Sequence, residues 1–189
     1  MRPRPLVVVT AAIVAVSLVV AGCSGDDEAG ADVPGADALA ENDALCLDGD
    51  RADDPVIGWV EPAIELAVDR YGDPTFFEIS ADRQRVSVIV AVDGTAEQLF
   101  YCGAAGYVPP SSLGEADGAT FGPTAVDFDP DRIFDQLDEE LDEPDIGDFA
   151  IVGDGAGGVA YDATVQSDAG GVLLVRLDAD GSVLGVQAQ

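Results

Sequence analysis

The sequence predicts an α+β fold of two tandem units, each a helix followed by a three- or four-stranded antiparallel sheet, placed behind an export segment and a tether. Three observations carry this prediction. Apolar residues recur at helical spacing twice, once ahead of Gly72 and once ahead of Pro144. Segments that alternate in steps of two follow each helical stretch and are cut by Asp-Gly or Gly-rich turns. Finally, VSVIVAVDGTAEQLFYC at 86–102 has a counterpart in VLLVRLDADGSVLGVQA at 172–188: an apolar strand, an Asp-Gly turn and an apolar return, offset by one residue at the turn. The chain therefore reads as duplicated.

Residues 1–22 form the first element. Arg2 and Arg4 precede an apolar run of 17 residues from Leu6 to Gly22, which is shorter than the roughly 20 residues that span hydrocarbon comfortably. No positive stop-transfer flank follows. This is the layout of a signal peptide. Val20-Ala21-Gly22 stands directly before Cys23, and the segment resembles a bacterial lipobox. That resemblance implies cleavage between Gly22 and Cys23 and lipid attachment, of the palmitate type, to the Cys23 thiol. An ordinary secretory signal with a chance cysteine, or an uncleaved anchor, would instead leave Cys23 as a free thiol. Cysteine arithmetic favours the lipid, since three cysteines in an exported chain leave one unpaired. Cys46 and Cys102 are then expected to form a disulfide in an oxidising compartment. Closing that loop is worth about 4 kcal/mol in the chain-entropy model. Two buried or reactive thiols are the alternative; with no histidine in the chain, two cysteines are too few ligands for a structural zinc site.

Residues 23–43 carry the lipidated cysteine and an acidic spacer of small residues, expected to be disordered with a reach of roughly 25 Å. The first unit, 44–108, opens with a helix started by Asp54-Pro55 or Glu61-Pro62. Val60, Ile64, Ala67, Val68 and Tyr71 form its stripe and Gly72 its end. Strands are expected at Phe76–Ser80, at 86–92 and at Glu97–Cys102, with Asp93-Gly94 as a hairpin turn. Gly, Pro and Ser dominate the stretch that begins at Gly103, so residues 109–126 read as a linker loop. The second unit, 127–189, opens with Asp129 as N-cap and Pro130 at the first helical position. Ile133, Phe134, Leu137 and Leu141 form its stripe, and Pro144 lies beyond the end. Strands are expected at Phe149–Val152, Val159–Gln166, Val172–Asp178 and Ser182–Gln187. Trp59, Tyr71, Phe76, Phe77, Phe100 and Tyr101 read as core, because two small halves need every large apolar side chain for burial.

By order of elements, each half resembles the small helix-plus-antiparallel-sheet unit of PepSY-like modules, which occur in exported and envelope proteins, often in tandem. With the lipobox and the acidic spacer, the whole pattern is similar to small envelope lipoproteins of high-GC actinobacteria. The resemblance implies a binding or regulatory module of the cell envelope and brings no catalytic residues with it.

Composition narrows the chemistry. A formal charge of −29, from 37 acidic and 8 basic residues, repels phosphate backbones and excludes nucleic acid as a partner. High-salt habitat and GC-rich coding both fit the acidic bias. The chain has no His, and all its basic residues are Arg, which removes Ser-His-Asp and Cys-His arrangements and Schiff-base lysines. Gly153 to Gly158 matches Gly-x-Gly-x-x-Gly but runs into a strand where a dinucleotide site needs a helix, so it reads as a hairpin loop. Ser182 reads as a turn serine, with no nucleophile elbow around it. Calcium is the one ligand the carboxylates favour. Asp48, Asp50, Asp53 and Asp54 miss the EF-hand register, while Asp131, Asp135, Asp138 and Asp142 lie along one helix face, where like charges repel.

The sequence therefore points to a non-catalytic, lipid-anchored lipoprotein on the extracytoplasmic face of the cell membrane, acting as a binding or regulatory module, with no cofactor and with an envelope protein as partner. A calcium-binding surface protein is the first alternative. A carboxylate-dependent hydrolase, which needs a cleft and a carboxyl group of raised pKa, is the second.

Overall fold

A computed structural model of the chain describes residue 46 and residues 51–141, 144–166 and 170–189. The expected export segment, Cys23 and the expected spacer lie outside these residues. Among the described residues no helix is long and apolar enough to cross a membrane.

Among the described residues the architecture is α+β: two 12-residue helices and one antiparallel sheet of eight strands in the order β4-β3-β2-β1-β5-β6-β7-β8. A 3-10 turn at Ile57–Trp59 leads into α1, Val60–Tyr71. Pro62 falls in its first turn, where a missing N–H costs nothing. Gly72, at φ 87°, ends it. The buried stripe is Val60, Ala63 and Ala67, with Ile64, Val68 and Tyr71 on its half-buried flank. Two alanines on the inner line let α1 settle close to the sheet, with the longer Ile64 and Tyr71 packed against the core from the flank.

Strands β1 (Thr75–Ala81), β2 (Val86–Val92) and β3 (Thr95–Tyr101) follow. Asp93 and Gly94 both have positive φ, 48° and 81°, the requirement of a tight hairpin turn. Contrary to the expected linker at 109–126, Tyr107–Glu115 is a further strand, β4, which pairs with β3 at the rim of the sheet. Its Pro109, Pro110 and Gly114 are turn formers, but an edge strand bonds on one side only and tolerates them.

Asp129 caps α2, Pro130–Leu141, its Oδ1 accepting from the N–H groups of Asp131 (3.1 Å) and Arg132 (3.5 Å). Ile133 and Leu137 are buried; Phe134 and Leu141 flank them. Strands β5 (Asp145–Gly153), β6 (Val159–Gln166), β7 (Val172–Leu177) and β8 (Val183–Ala188) complete the sheet. β5 starts four residues before the expected Phe149. Its Asp145, Gly147 and Asp148 are poor strand formers, but Arg83 ion-pairs with Asp145 and donates to the Ile146 carbonyl at 2.8 and 3.2 Å, which fixes the start from the first half.

The halves share one sheet. β1 and β5 run antiparallel from Glu78 opposite Val152 to Ala81 opposite Phe149, so strand order is repeated outward from this pair in both directions. One core joins both helices, with Ile57, Val60 and Ala67 from the first half in the same cluster as Ile133, Leu137, Phe149 and Leu177 from the second. The chain between them is part of it: Phe121 bonds Phe76 backbone to backbone at 2.8 and 2.9 Å, and their rings lie 5.7 Å apart. Gly181, at φ 87°, brings the β7–β8 turn so near α2 that a Cβ there would meet the Ile133 Cα at 3.0 Å.

Candidate functional site

The beginning of α1 and the segment leading into α2 lie side by side on the helical face of the sheet, and a groove of about 390 Å³ runs between them. Ile57 and Val60, 2% and 1% exposed, form its floor. Ile64 lines it from α1, and Val126 and Phe128 line it from the opposite wall. Glu61, Glu65 and Asp127 are exposed at its rim, and no basic residue is among those that line it.

The wall at 126–128 is held firmly. The Tyr161 hydroxyl accepts from the Asp127 N–H (3.2 Å) and donates to the Asp127 carbonyl (3.0 Å). The Phe128 ring packs 5.4 Å from Phe149 and 5.6 Å from Tyr161. Burial raises the Tyr161 hydroxyl above its ordinary pKa, so it remains a neutral donor and acceptor at this joint.

On the face of the sheet away from the helices, Ser80, Ser87, Ala150 and Thr164 occupy positions between the core-facing ones. Asp162 is its most buried charge. Arg176, directly across the β6–β7 ladder, grips it with two 2.8 Å bonds, Nε to Oδ1 and Nη2 to Oδ2. Asp148 has a carboxyl pushed up to about 6, chiefly by burial and then by the negative charges of Glu78 and Asp82. It lies outside the groove, so the raised carboxyl and the cleft that a hydrolase would combine are separate here.

The two rims of the sheet differ. β4 carries Pro109 and Pro110 and two irregularities of register against β3. β8 has neither proline nor charge, and its Leu184 and Val186 are 65% and 52% exposed.

The residues singled out from the sequence scatter. Cys23, Asp48, Asp50 and Asp142 lie outside the described residues. Cys46 and Cys102 come together with their sulfurs at disulfide distance and their Cα atoms 5.2 Å apart, packed against Val108. Asp131, Asp135 and Asp138 are exposed on α2, and among the described residues no three acidic or cysteine groups converge to hold a metal ion. Gly153 to Gly158 is a hairpin loop closed by Asp154, whose Oδ1 accepts from the N–H groups of Ala156 (2.7 Å) and Gly158 (2.9 Å). Ser182 sits in the β7–β8 turn, its N–H bonded to Asp178 at 2.9 Å. Trp59 is half-buried, edge-on to Tyr101 at 6.2 Å. The groove was not among these residues. Its signal was Val126 and Phe128, which with Phe121 before them are large apolar side chains that a free linker has no reason to carry.

No protein-family model matches this chain, and no curated protein or solved structure is significantly similar to it.

Proposed function

We propose that the chain is a non-catalytic lipoprotein, held by an acylated Cys23 on the outer face of the cell membrane, where its folded part serves as a binding or regulatory module for an envelope component. The observation that carries this reading is Val20-Ala21-Gly22-Cys23 behind a basic start and an apolar run of 17 residues. A disulfide between Cys46 and Cys102 fits the oxidising compartment to which such a segment leads. A helix followed by four antiparallel strands, twice in succession, supports likeness to tandem PepSY-like units. Binding rather than catalysis is favoured by a preformed apolar groove whose lining holds carboxylates and no other reactive group.

The test is Cys23→Ala in the producing cell, read by membrane fractionation and by mass spectrometry of the N-terminal peptide. The expected result is an acylated Cys23 at the mature N-terminus of the wild type and release of the variant from the membrane, since more than one acyl chain is needed for stable anchoring. An unmodified Cys23 in a protein that stays membrane-bound as the alanine variant overturns the reading.

A further inference from the structure

The groove between α1 and the entry to α2 has the chemistry of a docking site for one kind of partner. Above a closed floor of Ile57 and Val60, its walls offer apolar surface from both halves of the chain, through Ile64 on one side and Val126 and Phe128 on the other. Its far wall is fixed by the two bonds between Tyr161 and the Asp127 backbone, so a ligand would not have to order it on arrival, and less of the binding free energy is lost to immobilisation.

The rim decides the occupant. Glu61 and Glu65 stand one helical turn apart on α1 and repel each other, and Asp127 faces them across the groove. Among the residues lining the groove none is basic, so every charged side chain there is a carboxylate. The spacer at 24–43 is itself acidic and is repelled. A second copy, with the same negative charge, is repelled as well. What satisfies floor and rim together is a segment with apolar side chains on one face and Arg or Lys beside them, the pattern of an amphipathic helix laid into a groove.

We infer that this groove receives a cationic amphipathic segment of a partner protein. The inference rests on the binding-module reading above and names its seat and the chemistry of its target. Apolar anchors at helical spacing would enter between Ile64 and Phe128, while two basic residues would meet Glu61 and Glu65 and relieve their repulsion.

The experiment is fluorescence anisotropy of the full-length protein with a labelled 18-residue Leu/Lys peptide designed as an amphipathic helix, at 0.15 M salt. A peptide of the same composition, scrambled so that no apolar face forms, controls for attraction to the overall negative charge. The amphipathic peptide is expected to bind at least tenfold tighter than the scrambled one. Glu61→Lys with Glu65→Lys is expected to weaken it at least tenfold, and Glu61→Gln with Glu65→Gln to weaken it less. Asp138→Lys with Glu139→Lys, the same charge change on the exposed side of α2, is expected to change binding less than twofold. Equal binding of both peptides, or equal loss in the two lysine variants, overturns the inference, because the field of the whole molecule would then explain everything. An envelope partner captured equally by wild type and by the Glu61→Lys, Glu65→Lys variant would remove the groove as the seat and leave the anchored binding module standing. Retention of the membrane anchor by Cys23→Ala would do the reverse.

Discussion

The half made of α1 and β1–β4 and the half made of α2 and β5–β8 run through the same elements in the same order, yet each is secured by different means. In the first, Cys46 and Cys102 are brought to disulfide distance, the Tyr71 hydroxyl donates to Glu97 at 2.9 Å, and prolines guard the outer strand. In the second there is no cysteine; Arg176 grips Asp162 across the ladder and Arg132 pairs with Asp180 at 3.0 Å, where the first half has only Arg85 with Asp82 among its described internal ion pairs, and the outer strand is bare. The difference teaches that a repeated backbone plan fixes where stabilising contacts are needed and leaves their chemistry free. The halves were not free to part: the β1–β5 pair and the common core make each a wall of the other.

Phe149→Ala tests that dependence with the largest effect. The ring is fully buried beside the seam, opposite Ala81 of the first half. Its loss is expected to cost about 3–5 kcal/mol. Trp59, the single Trp of the chain, reports on the first half. Urea transitions followed by Trp59 fluorescence and by far-ultraviolet circular dichroism are expected to move together. A variant in which the fluorescence transition stays in place would show that the halves unfold separately.

Next in size is removal of the covalent tie. Cys46→Ser with Cys102→Ser reopens a loop with a sequence separation of 56 and is expected to lower stability by about 2–4 kcal/mol. The measurement is the thermal midpoint of oxidised wild type, reduced wild type and the double variant, with the last two falling together. An unchanged midpoint on reduction would mean that the first half does not depend on the bond.

The smallest effect sits at the seam itself, where Asp148 of the second half meets the charges of Glu78 and Asp82 from the first. Its carboxyl is raised to about 6 from 3.8, so the folded chain holds a proton that the unfolded chain has released. Its contribution to stability is complete below about pH 4 and is lost as the pH rises through 6. Asp148→Asn is therefore expected to be more stable than wild type at pH 7.5, by about 1–2 kcal/mol after allowance for solvent screening, and to show no advantage at pH 4. Denaturant midpoints across that range decide it; a gain independent of pH would assign the effect to something other than ionisation.

Most elements were legible in the residues because their signals are local. The alternation of β2, the Asp93-Gly94 turn, the Asp129-Pro130 cap and the hairpin at 153–158 each follow from a few neighbours in sequence. What could not be read was set by distant partners. β4 looks like a loop until β3 supplies one side of its bonding, and the start of β5 is held by Arg83, more than 60 residues earlier. The groove was hidden for the same reason, since Ile57 and Phe128 meet only after both halves fold onto one sheet.

The tie between Cys46 and Cys102 also has a mechanical meaning. If the chain is pulled from a surface by its N-terminal end, tension reaches Cys46 and passes through the sulfurs to Cys102, at the end of β3. The residues between the two cysteines, which include α1 and strands β1 to β3, drop out of the load path. Force would be borne first by β4 at the rim, while β1, the first half's strand at the seam, would be shielded from it. The stretch closed by the two cysteines would then act as an unextendable coupling between the N-terminal end and the rest of the fold.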